Sequence, residues 1–250
     1  MFRLTCIVDA GVACYGNDDR ALVQRHVVDE GSYEETSETA FAAVCDGVGG
    51  EACGYEAAGI AAAHFATLAG GEITVEGIRA GIACANNLII KAQRKGRGRA
   101  GMATTIAGIY VSGEDCIVFN VGDSRVYRYR PPYIAQLSKD HSALEEIKAL
   151  GLEPKPGHEG VITRYLGGDR AAPDIIDGRG RVLGCDVYIV CTDGISDFVT
   201  DPELEDIMSQ SQRIPDMQIC RTLVDAALSN GSNDNLSVVL VSNLHRSPPV

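Results

Sequence analysis

The chain has 250 residues, enough for one sizeable domain with a full hydrophobic core. Hydrophobic residues make up 45% of it, a proportion that excludes a disordered or fibrous protein. Its 34 acidic and 22 basic residues give a formal charge of −12. Proteins that bind nucleic acid or anionic membranes usually show the opposite balance, so we expect neither kind of partner.

The chain lacks the sequence signals of export and of membrane insertion. Residues 1–9 do not resemble a secretory signal, and no run approaches the roughly 18–20 uncharged apolar residues of a membrane-spanning helix. The nine cysteines are an odd number without a C-x-x-C pair, and several lie within apolar runs. This usage is typical of buried thiols in a reducing compartment, so the expected location is the cytoplasm.

Eight short segments rich in Val, Ile, Tyr and Phe predict β-strands. In chain order they are Leu4–Val8, Phe41–Cys45, Thr104–Val111, Cys116–Val121, Val126–Arg130, Val161–Tyr165, Val187–Cys191 and Leu236–Val241. The turn residues Ser112–Asp115 join the third and fourth segments as a hairpin, and Val126–Arg130 would extend the hairpin into an antiparallel meander.

Five segments have helical patterns, and they come in groups between runs of strands. They are Ala52–Leu68, Val75–Lys91, Ser142–Leu150, Pro202–Ser209 (with Asp201 as N-cap and Pro202 in the first turn) and Met217–Leu228. This grouping favours an α+β layered domain over a doubly wound sheet, which would need strands and helices to alternate. We see no internal repeat and no linker long enough to divide the chain.

The most informative feature is a set of aspartates at the ends of predicted strands, most of them beside glycine or asparagine. They are Asp18, Asp19, Asp46, Asp123, Asp193 and Asp234. Side chains at strand ends can converge at one edge of a sheet or sandwich. Converging carboxylates repel one another unless cations lie between them, and oxygen ligands select hard ions such as Mg²⁺ or Mn²⁺. The residues therefore predict a divalent-metal site of one or two ions, but they do not identify a reaction.

Eight short motifs in order resemble the metal-dependent serine/threonine protein phosphatases of type 2C, bacterial type. They are Gly16-Asn-Asp-Asp19, Asp46-Gly-Val-Gly-Gly50, Met102-Ala-Thr-Thr105, Gly122-Asp-Ser-Arg125, Lys139-Asp-His-Ser142, Ile162-Thr-Arg-Tyr-Leu-Gly167, Thr192-Asp-Gly194 and Asn233-Asp-Asn235. The resemblance runs from about residue 5 to 241. It implies two antiparallel β-sheets packed face to face and flanked by helix pairs, an αββα four-layer sandwich. We expect residues 1–243 to form this single phosphatase-like domain and residues 244–250 a short C-terminal tail.

The resemblance also implies a metal site with two or three Mg²⁺ or Mn²⁺ ions per chain. In it Asp46 would bridge two ions, the Gly47 carbonyl would bind one of them, and Asp193 and Asp234 would complete the first. Asp18, with Asp19 beside it, would hold the second ion through water, and Asp123 would help to bind a third, weaker ion. Asp46 and Asp193 would act in catalysis through a bridging water that attacks phosphorus in line.

Two positions depart from the pattern of the family. Cys14 stands where many members have an arginine that grips the phosphate, and Val48 stands where some members have a histidine. Bacterial-type members also lack that histidine. The implied activity is hydrolysis of phosphoserine and phosphothreonine in proteins. The alternative is a catalytically weak or inactive module of this fold that binds metal or a phosphorylated partner for regulation.

The resemblance implies a phosphorylated protein as substrate, a cognate Ser/Thr kinase or its targets as partners, and a monomer. Residues 143–160 correspond to a variable, substrate-facing flap in the family. The basic residues between Lys91 and Arg99 are either a solvated helix end or a patch that steers a phosphorylated partner.

Two other patterns compete for the same residues. Gly47-Val-Gly-Gly-Glu-Ala52, followed by Glu72, partly matches a dinucleotide-binding fingerprint, which requires a strand–helix–strand unit. Cys14 and Arg20 have the C-x5-R spacing of cysteine-dependent phosphatases, although two aspartates inside that loop would repel a phosphate.

Overall fold

The structure is a computed structural model that describes residues 1–12, 16–48, 53–96, 98, 100–155, 157–158 and 160–244. Its elements in chain order are β1 (Phe2–Asp9), β2 (Arg20–Val23), β3 (His26–Val28), β4 (Gly31–Ser37), β5 (Thr39–Cys45), β6 (Gly47–Val48), α1 (Gly54–Leu68), α2 (Val75–Arg94), β7 (Ala103–Thr104), β8 (Ile106–Ser112), β9 (Asp115–Val121), β10 (Arg125–Arg130), β11 (Tyr133–Gln136), α3 (Ala143–Ala149), β12 (Asp174–Asp177), β13 (Val187–Cys191), α4 (Asp193–Ser196), α5 (Asp201–Ser209), α6 (Asp216–Ser229) and β14 (Leu236–Asn243).

Two six-stranded sheets contain most of the strands. The first sheet has the order β11-β10-β13-β14-β1-β4, and the second has the order β12-β9-β8-β5-β2-β3. Every strand pair in both is antiparallel. β1 and β14 pair in the middle of the first sheet, from Phe2 opposite Asn243 to Asp9 opposite Leu236.

Three hydrophobic clusters show how the layers stack. The first and second sheets meet through residues such as Val44, Val190 and Val239. α1 and α2 cover the outer face of the second sheet, where Phe65 stacks on Phe119 with ring centroids 5.5 Å apart. A third cluster joins α4, α5 and α6 to the outer face of the first sheet. The predicted αββα sandwich is confirmed.

Burial on both faces explains why the central strands contain continuous apolar runs. All five residues of β13 are buried, because one face packs on the other sheet and the other face packs on helices. β4 lies at an edge, and its polar sequence Gly-Ser-Tyr-Glu-Glu-Thr-Ser gave no strand signal. Five cysteines are buried thiols, as predicted: Cys6, Cys45, Cys116, Cys191 and Cys220.

Three strand predictions need correction. Val126–Arg130 does not extend the hairpin of β8 and β9, because the side of β9 away from β8 is occupied by β12 and the chain crosses to the first sheet. The segment predicted as Thr104–Val111 is interrupted at Thr105, between β7 and β8. Val161–Tyr165 is not a strand, and Ile162 forms only an isolated bridge to Ser142.

The five predicted helices are present with different ends, and α4 (Asp193–Ser196) is a short helix that the sequence did not predict. α1 begins at Gly54, and Ala52, where we predicted its start, lies outside the described residues. α2 continues to Arg94, one turn past the predicted end. The N-cap of α5 is Thr200 and not Asp201, because Thr200 and Glu203 form a capping box. No helix in the described part of the chain is long and apolar enough to cross a membrane.

Candidate metal centre

The ends of strands from both sheets meet at one edge of the sandwich and bring the predicted aspartates together. In the second sheet, Asp19 precedes β2, Asp46 follows β5 and Asp123 follows β9. In the first sheet, Asp193 follows β13 and Asp234 precedes β14. The electrostatic interactions among all five, described below, show that they form one cluster across the two sheets.

Asp19 is the most deeply buried member of the cluster, with 2% of its surface exposed. Its Oδ2 accepts a hydrogen bond of 2.8 Å from Thr192 Oγ1, which connects the second sheet to the end of β13. Burial raises the pKa of Asp19 to about 7, the hydrogen bond from Thr192 opposes the shift, and the charges of Asp193 and Asp234 add to it. The site thus holds a carboxyl group whose charge the protein compensates incompletely.

Asp46 lies in the middle of this field of negative charge. Burial raises its pKa well above the ordinary value, and the charges of Asp193, Asp19 and Asp123 raise it further. Asp46 and Asp193 share a side-chain hydrogen bond, which favours the protonated form of Asp46 and the ionised form of Asp193. Burial followed by the charge of Asp234 nevertheless raises the pKa of Asp193 to about 6.

The backbone of Asp46 is held by the two threonines at the break between β7 and β8. Its carbonyl oxygen accepts hydrogen bonds from Thr104 Oγ1 at 2.8 Å and from the Thr105 amide at 2.9 Å. Its amide donates to Thr105 Oγ1 at 3.2 Å. Thr105 Oγ1 also bonds Ser124 Oγ at 2.7 Å, beside Asp123. The loops of Asp46 and Asp123 are therefore joined through one threonine.

Asp123 is half-buried beside Asp193. Burial raises its pKa to about 7, and the charge of Asp193 adds to the shift. Arg125, two residues further on, is a cation next to this loop. It forms a bidentate pair with Asp140, in which Nε donates to Oδ1 at 3.1 Å and Nη2 donates to Oδ2 at 2.7 Å. Its Nη1 donates to the carbonyl of Ser196 in α4 at 3.0 Å, so Arg125 connects the Asp123 loop to the helix that begins with Asp193.

Asp18 faces the start of α1. Burial raises the pKa of Asp18, while a hydrogen bond from the Tyr55 amide and the charge of Arg20 lower it. Gly47 and Gly54 pack against each other here: a Cβ atom on Gly47 would lie 2.4 Å from the Gly54 carbonyl carbon. Two glycines are thus needed for α1 to approach the Asp46 loop so closely.

Asp234 is exposed at the rim, and the next residue fixes its loop. The Asn235 side chain accepts a hydrogen bond from the Asp18 amide at 2.9 Å and donates to the carbonyls of Ala10 and Gly16 at 2.9 and 3.1 Å. Asn235, Thr104, Thr105 and Arg125 belong to motifs of the sequence that predicted no role for them. Their place in the same motifs as the aspartates, or in a motif of the same series, was the sequence feature that could have indicated a supporting role.

The chemistry of these donors fits a hard divalent cation. Buried carboxyl groups with raised pKa values, beside few cationic groups, are a set of oxygen ligands whose repulsion such an ion would relieve. As the side chains stand, no three or more His, Cys, Asp or Glu residues in the described ranges are arranged to hold an ion. In this arrangement the carboxyl groups of Asp46 and Asp193 bond each other and do not point at a common ion. The fit of the site to a divalent cation therefore rests on its oxygen donors, their burial and their negative charge.

Comparison with known proteins identifies the family. Residues 25–230 match the family model described as Protein phosphatase 2C. The chain belongs to the protein phosphatase 2C family. The resemblance recognised from the eight motifs is therefore confirmed.

Relatives and solved structures of the protein phosphatase 2C family agree with this assignment. The serine/threonine phosphatase stp of Listeria welshimeri is 26% identical over 244 residues, which cover 89% of this chain and 92% of the relative. The serine/threonine protein phosphatase PstP of Mycobacterium tuberculosis is 28% identical over 208 residues, or 79% of this chain. That match covers 39% of PstP, so it extends over less than half of the relative.

The solved structures match nearly the whole chain. The structure of PstP/Ppp from M. tuberculosis has a TM-score of 0.80 and 25% identity, and the match covers 98% of this chain and 99% of the other. The PstP catalytic domain in complex with two manganese ions has a TM-score of 0.76 and 25% identity over 97% and 99% of the two chains. The Streptococcus agalactiae serine/threonine phosphatase, at 20% identity, shows the fold alone, with a TM-score of 0.82 over 97% and 99%.

The two competing patterns have less support within this phosphatase 2C fold. A dinucleotide site needs a strand–helix–strand unit, whereas α1 is followed directly by α2 and the sheets are antiparallel. The C-x5-R pattern involves Cys14, which lies outside the described residues, as do Arg97 and Arg99 of the basic cluster. Arg20 Nη1 bonds the Asn17 carbonyl oxygen at 2.9 Å and so is engaged with its own loop.

Proposed function

We propose that this chain hydrolyses phosphoserine and phosphothreonine in proteins with the help of two or three Mg²⁺ or Mn²⁺ ions. The observation that carries the proposal is the burial of Asp46 among Asp19, Asp123 and Asp193, where the pKa values of all four are raised. Membership in the protein phosphatase 2C family and the manganese complex of PstP support the reaction and the metal.

Seven residues would hold the ions, with Asp46 and Asp193 at the centre. The full set is Asp18, Asp19, Asp46, the Gly47 carbonyl, Asp123, Asp193 and Asp234. When bound, such ions offset the charge of a phosphoryl group and acidify a water that can attack it. The contribution of the protein is to fix the ligands: Thr104 and Thr105 hold the Asp46 backbone, and Asn235 holds the Asp18 loop beside Asp234.

Both ends of the described chain belong to the proposed catalytic domain. Pairing of β1 with β14 brings Phe2 opposite Asn243, and the Leu244 amide donates to the Met1 carbonyl at 3.0 Å. These contacts support a single domain over residues 1–243. Residues 245–250 of the proposed tail over 244–250 lie outside the described part of the chain. Because the match to PstP covers 39% of that relative, a phosphoprotein substrate, a partner kinase and a monomeric state remain parts of the proposal.

The test is hydrolysis of p-nitrophenyl phosphate and of a phosphothreonine peptide by protein dialysed against EDTA. We expect no turnover until Mn²⁺ or Mg²⁺ is added, and metal-independent hydrolysis would contradict the proposal. Calorimetric titration with Mn²⁺ distinguishes the alternative function. Binding of Mn²⁺ without hydrolysis of either substrate would indicate a regulatory module of this fold.

A further inference from the structure

The segment before α3 packs against the loop that carries Asp123. Asn120 Nδ2 donates to the Lys139 carbonyl at 2.8 Å, and the His141 amide donates to the Gly122 carbonyl at 2.9 Å. The Gly122 amide in turn donates to Nδ1 of the His141 ring at 3.1 Å. His141 is 3% exposed, so its ring is a buried support for the residue directly before Asp123.

These contacts determine which ring nitrogen of His141 carries the proton. The Gly122 amide can only donate, so Nδ1 accepts and the hydrogen lies on Nε2. Nε2 lies 3.2 Å from Asp174 Oδ2, to which it donates, and also 3.2 Å from Arg164 Nη1, which is itself a donor and so does not pair with the protonated Nε2. Arg164 Nη1 donates to the other oxygen, Asp174 Oδ1, at 3.0 Å. Asp174, in the edge strand β12, therefore accepts from both groups and orients the imidazole.

The backbone at Gly122 is confined on its other side as well. Gly122 has a φ of +113°, and a Cβ atom there would lie 2.6 Å from Cβ of Thr105. Thr105 Oγ1 bonds the Asp46 amide and Ser124 Oγ. The loop of Asp123 is thus enclosed between the His141 ring and the threonine that also holds Asp46.

We propose that His141 is a positioning residue for cation binding by Asp123, with Asp174 as its orienting partner. The proposal rests on the proposed function, because it takes Asp123 as a ligand of the weakest ion. His141 itself would not be a ligand, because Gly122 uses one ring nitrogen and the other faces Asp174. Groups that orient ligands in this way typically change metal affinity by roughly 10- to 100-fold when they are removed.

The experiment is a titration of EDTA-dialysed protein with Mn²⁺, in which electron paramagnetic resonance measures free Mn²⁺ in the absence of substrate. Asp123→Asn defines which ion depends on Asp123. We expect His141→Ala to weaken that same ion roughly 10- to 100-fold and to leave the tighter ions unchanged. His141→Asn should recover much of the affinity, because Oδ1 of Asn can replace Nδ1 as the acceptor for the Gly122 amide.

His64→Ala is the matched control, since His64 lies on α1 and its ring contacts Phe65 at a centroid distance of 6.0 Å. We expect this control to leave every Mn²⁺ affinity unchanged. If His141→Ala does not fold, Asp174→Asn and His141→Asn supply the test, and we expect Asp174→Asn to weaken only the ion that depends on Asp123.

A His141→Ala protein that melts earlier but binds all its Mn²⁺ within twofold of wild type would overturn the proposal, because His141 would then be only structural. So would an Asp123→Asn protein with unchanged Mn²⁺ binding. Because the titration contains no substrate, a wild-type protein that binds Mn²⁺ as expected but hydrolyses nothing would refute the proposed function and leave the role of His141 standing.

Discussion

Replacement of Gly194 by alanine tests whether the two aspartates of the first sheet must lie as close as the structure places them. A Cβ atom on Gly194 would lie 2.0 Å from the Asn235 carbonyl oxygen and 3.4 Å from Cβ of Asp234. Ordinary van der Waals contact begins at 3.4 Å, so the Asn235 backbone must move away by about 1.4 Å. That movement would separate Asp234 from Asp193 and disturb the hydrogen bond from the Asp18 amide to Asn235.

Overpacking of this kind costs about 1–3 kcal/mol of the free energy of unfolding. A displacement of about 1 Å in a catalytic site can lower turnover by about 100-fold. We therefore expect Gly194→Ala to remain folded and to lose about 100-fold in kcat/KM for a phosphothreonine peptide at saturating Mn²⁺. Urea denaturation and steady-state kinetics measure the two effects.

Gly59→Ala is the matched control. Gly59 lies within α1, and a Cβ atom there would have no atom within 4 Å. This change should stabilise the protein by about 0.4–1 kcal/mol and leave kinetics unaltered. Wild-type turnover and Mn²⁺ affinity in Gly194→Ala would refute the close approach of the β14 loop to α4.

In metal-free protein, burial raises the pKa of Asp19 and Asp123 to about 7 and that of Asp193 to about 6. At pH values between the ordinary aspartate pKa of 3.8 and these raised values, the folded state therefore binds more protons than the unfolded state, and its stability falls as the pH rises. The melting temperature in EDTA should therefore be higher at pH 5.5 than at pH 7.5, and the opposite order would contradict the buried cluster. Arg125→Lys should lower the melting temperature and kcat, because lysine cannot form the bidentate pair with Asp140. Arg179→Lys, in an exposed pair with Asp177, is its control and should change neither. Cys14→Ser should retain most turnover, since water and not sulfur is the proposed nucleophile. Total loss in a folded variant that binds Mn²⁺ would favour a cysteine nucleophile.

The sequence allowed the cluster to be predicted because apolar, strand-like runs that end in aspartate mark the ends of strands directly. Asp46 after Ala43-Val-Cys45 and Asp193 after Ile189-Val-Cys-Thr192 are examples, and the structure places both at the same edge. Roles for the supporting residues could not be read in this way. Thr105 accepts a hydrogen bond from the amide of Asp46, which is 59 residues away in the sequence. Asn235 accepts one from the amide of Asp18, which is 217 residues away.

The assignment of strands to sheets was harder to predict, for a physical reason. Gly122-Asp-Ser124 has the composition of a hairpin turn, yet the place beside β9 is taken by β12, some 50 residues later in the chain. Edge strands also lack the signal of burial: β4 is polar and partly exposed along its length. At Val161–Tyr165 the apolar residues mislead, since Val161 is 46% exposed.

The most direct test of the central claim compares wild type with Asp46→Asn in hydrolysis of a phosphothreonine peptide as a function of Mn²⁺ concentration. Asp206→Asn is the control, because Asp206 is exposed on α5, outside the carboxylate cluster. We predict that Asp46→Asn lowers kcat by about two orders of magnitude or more and weakens Mn²⁺ binding, while Asp206→Asn behaves as wild type. A folded Asp46→Asn protein with wild-type turnover and Mn²⁺ dependence would contradict the account.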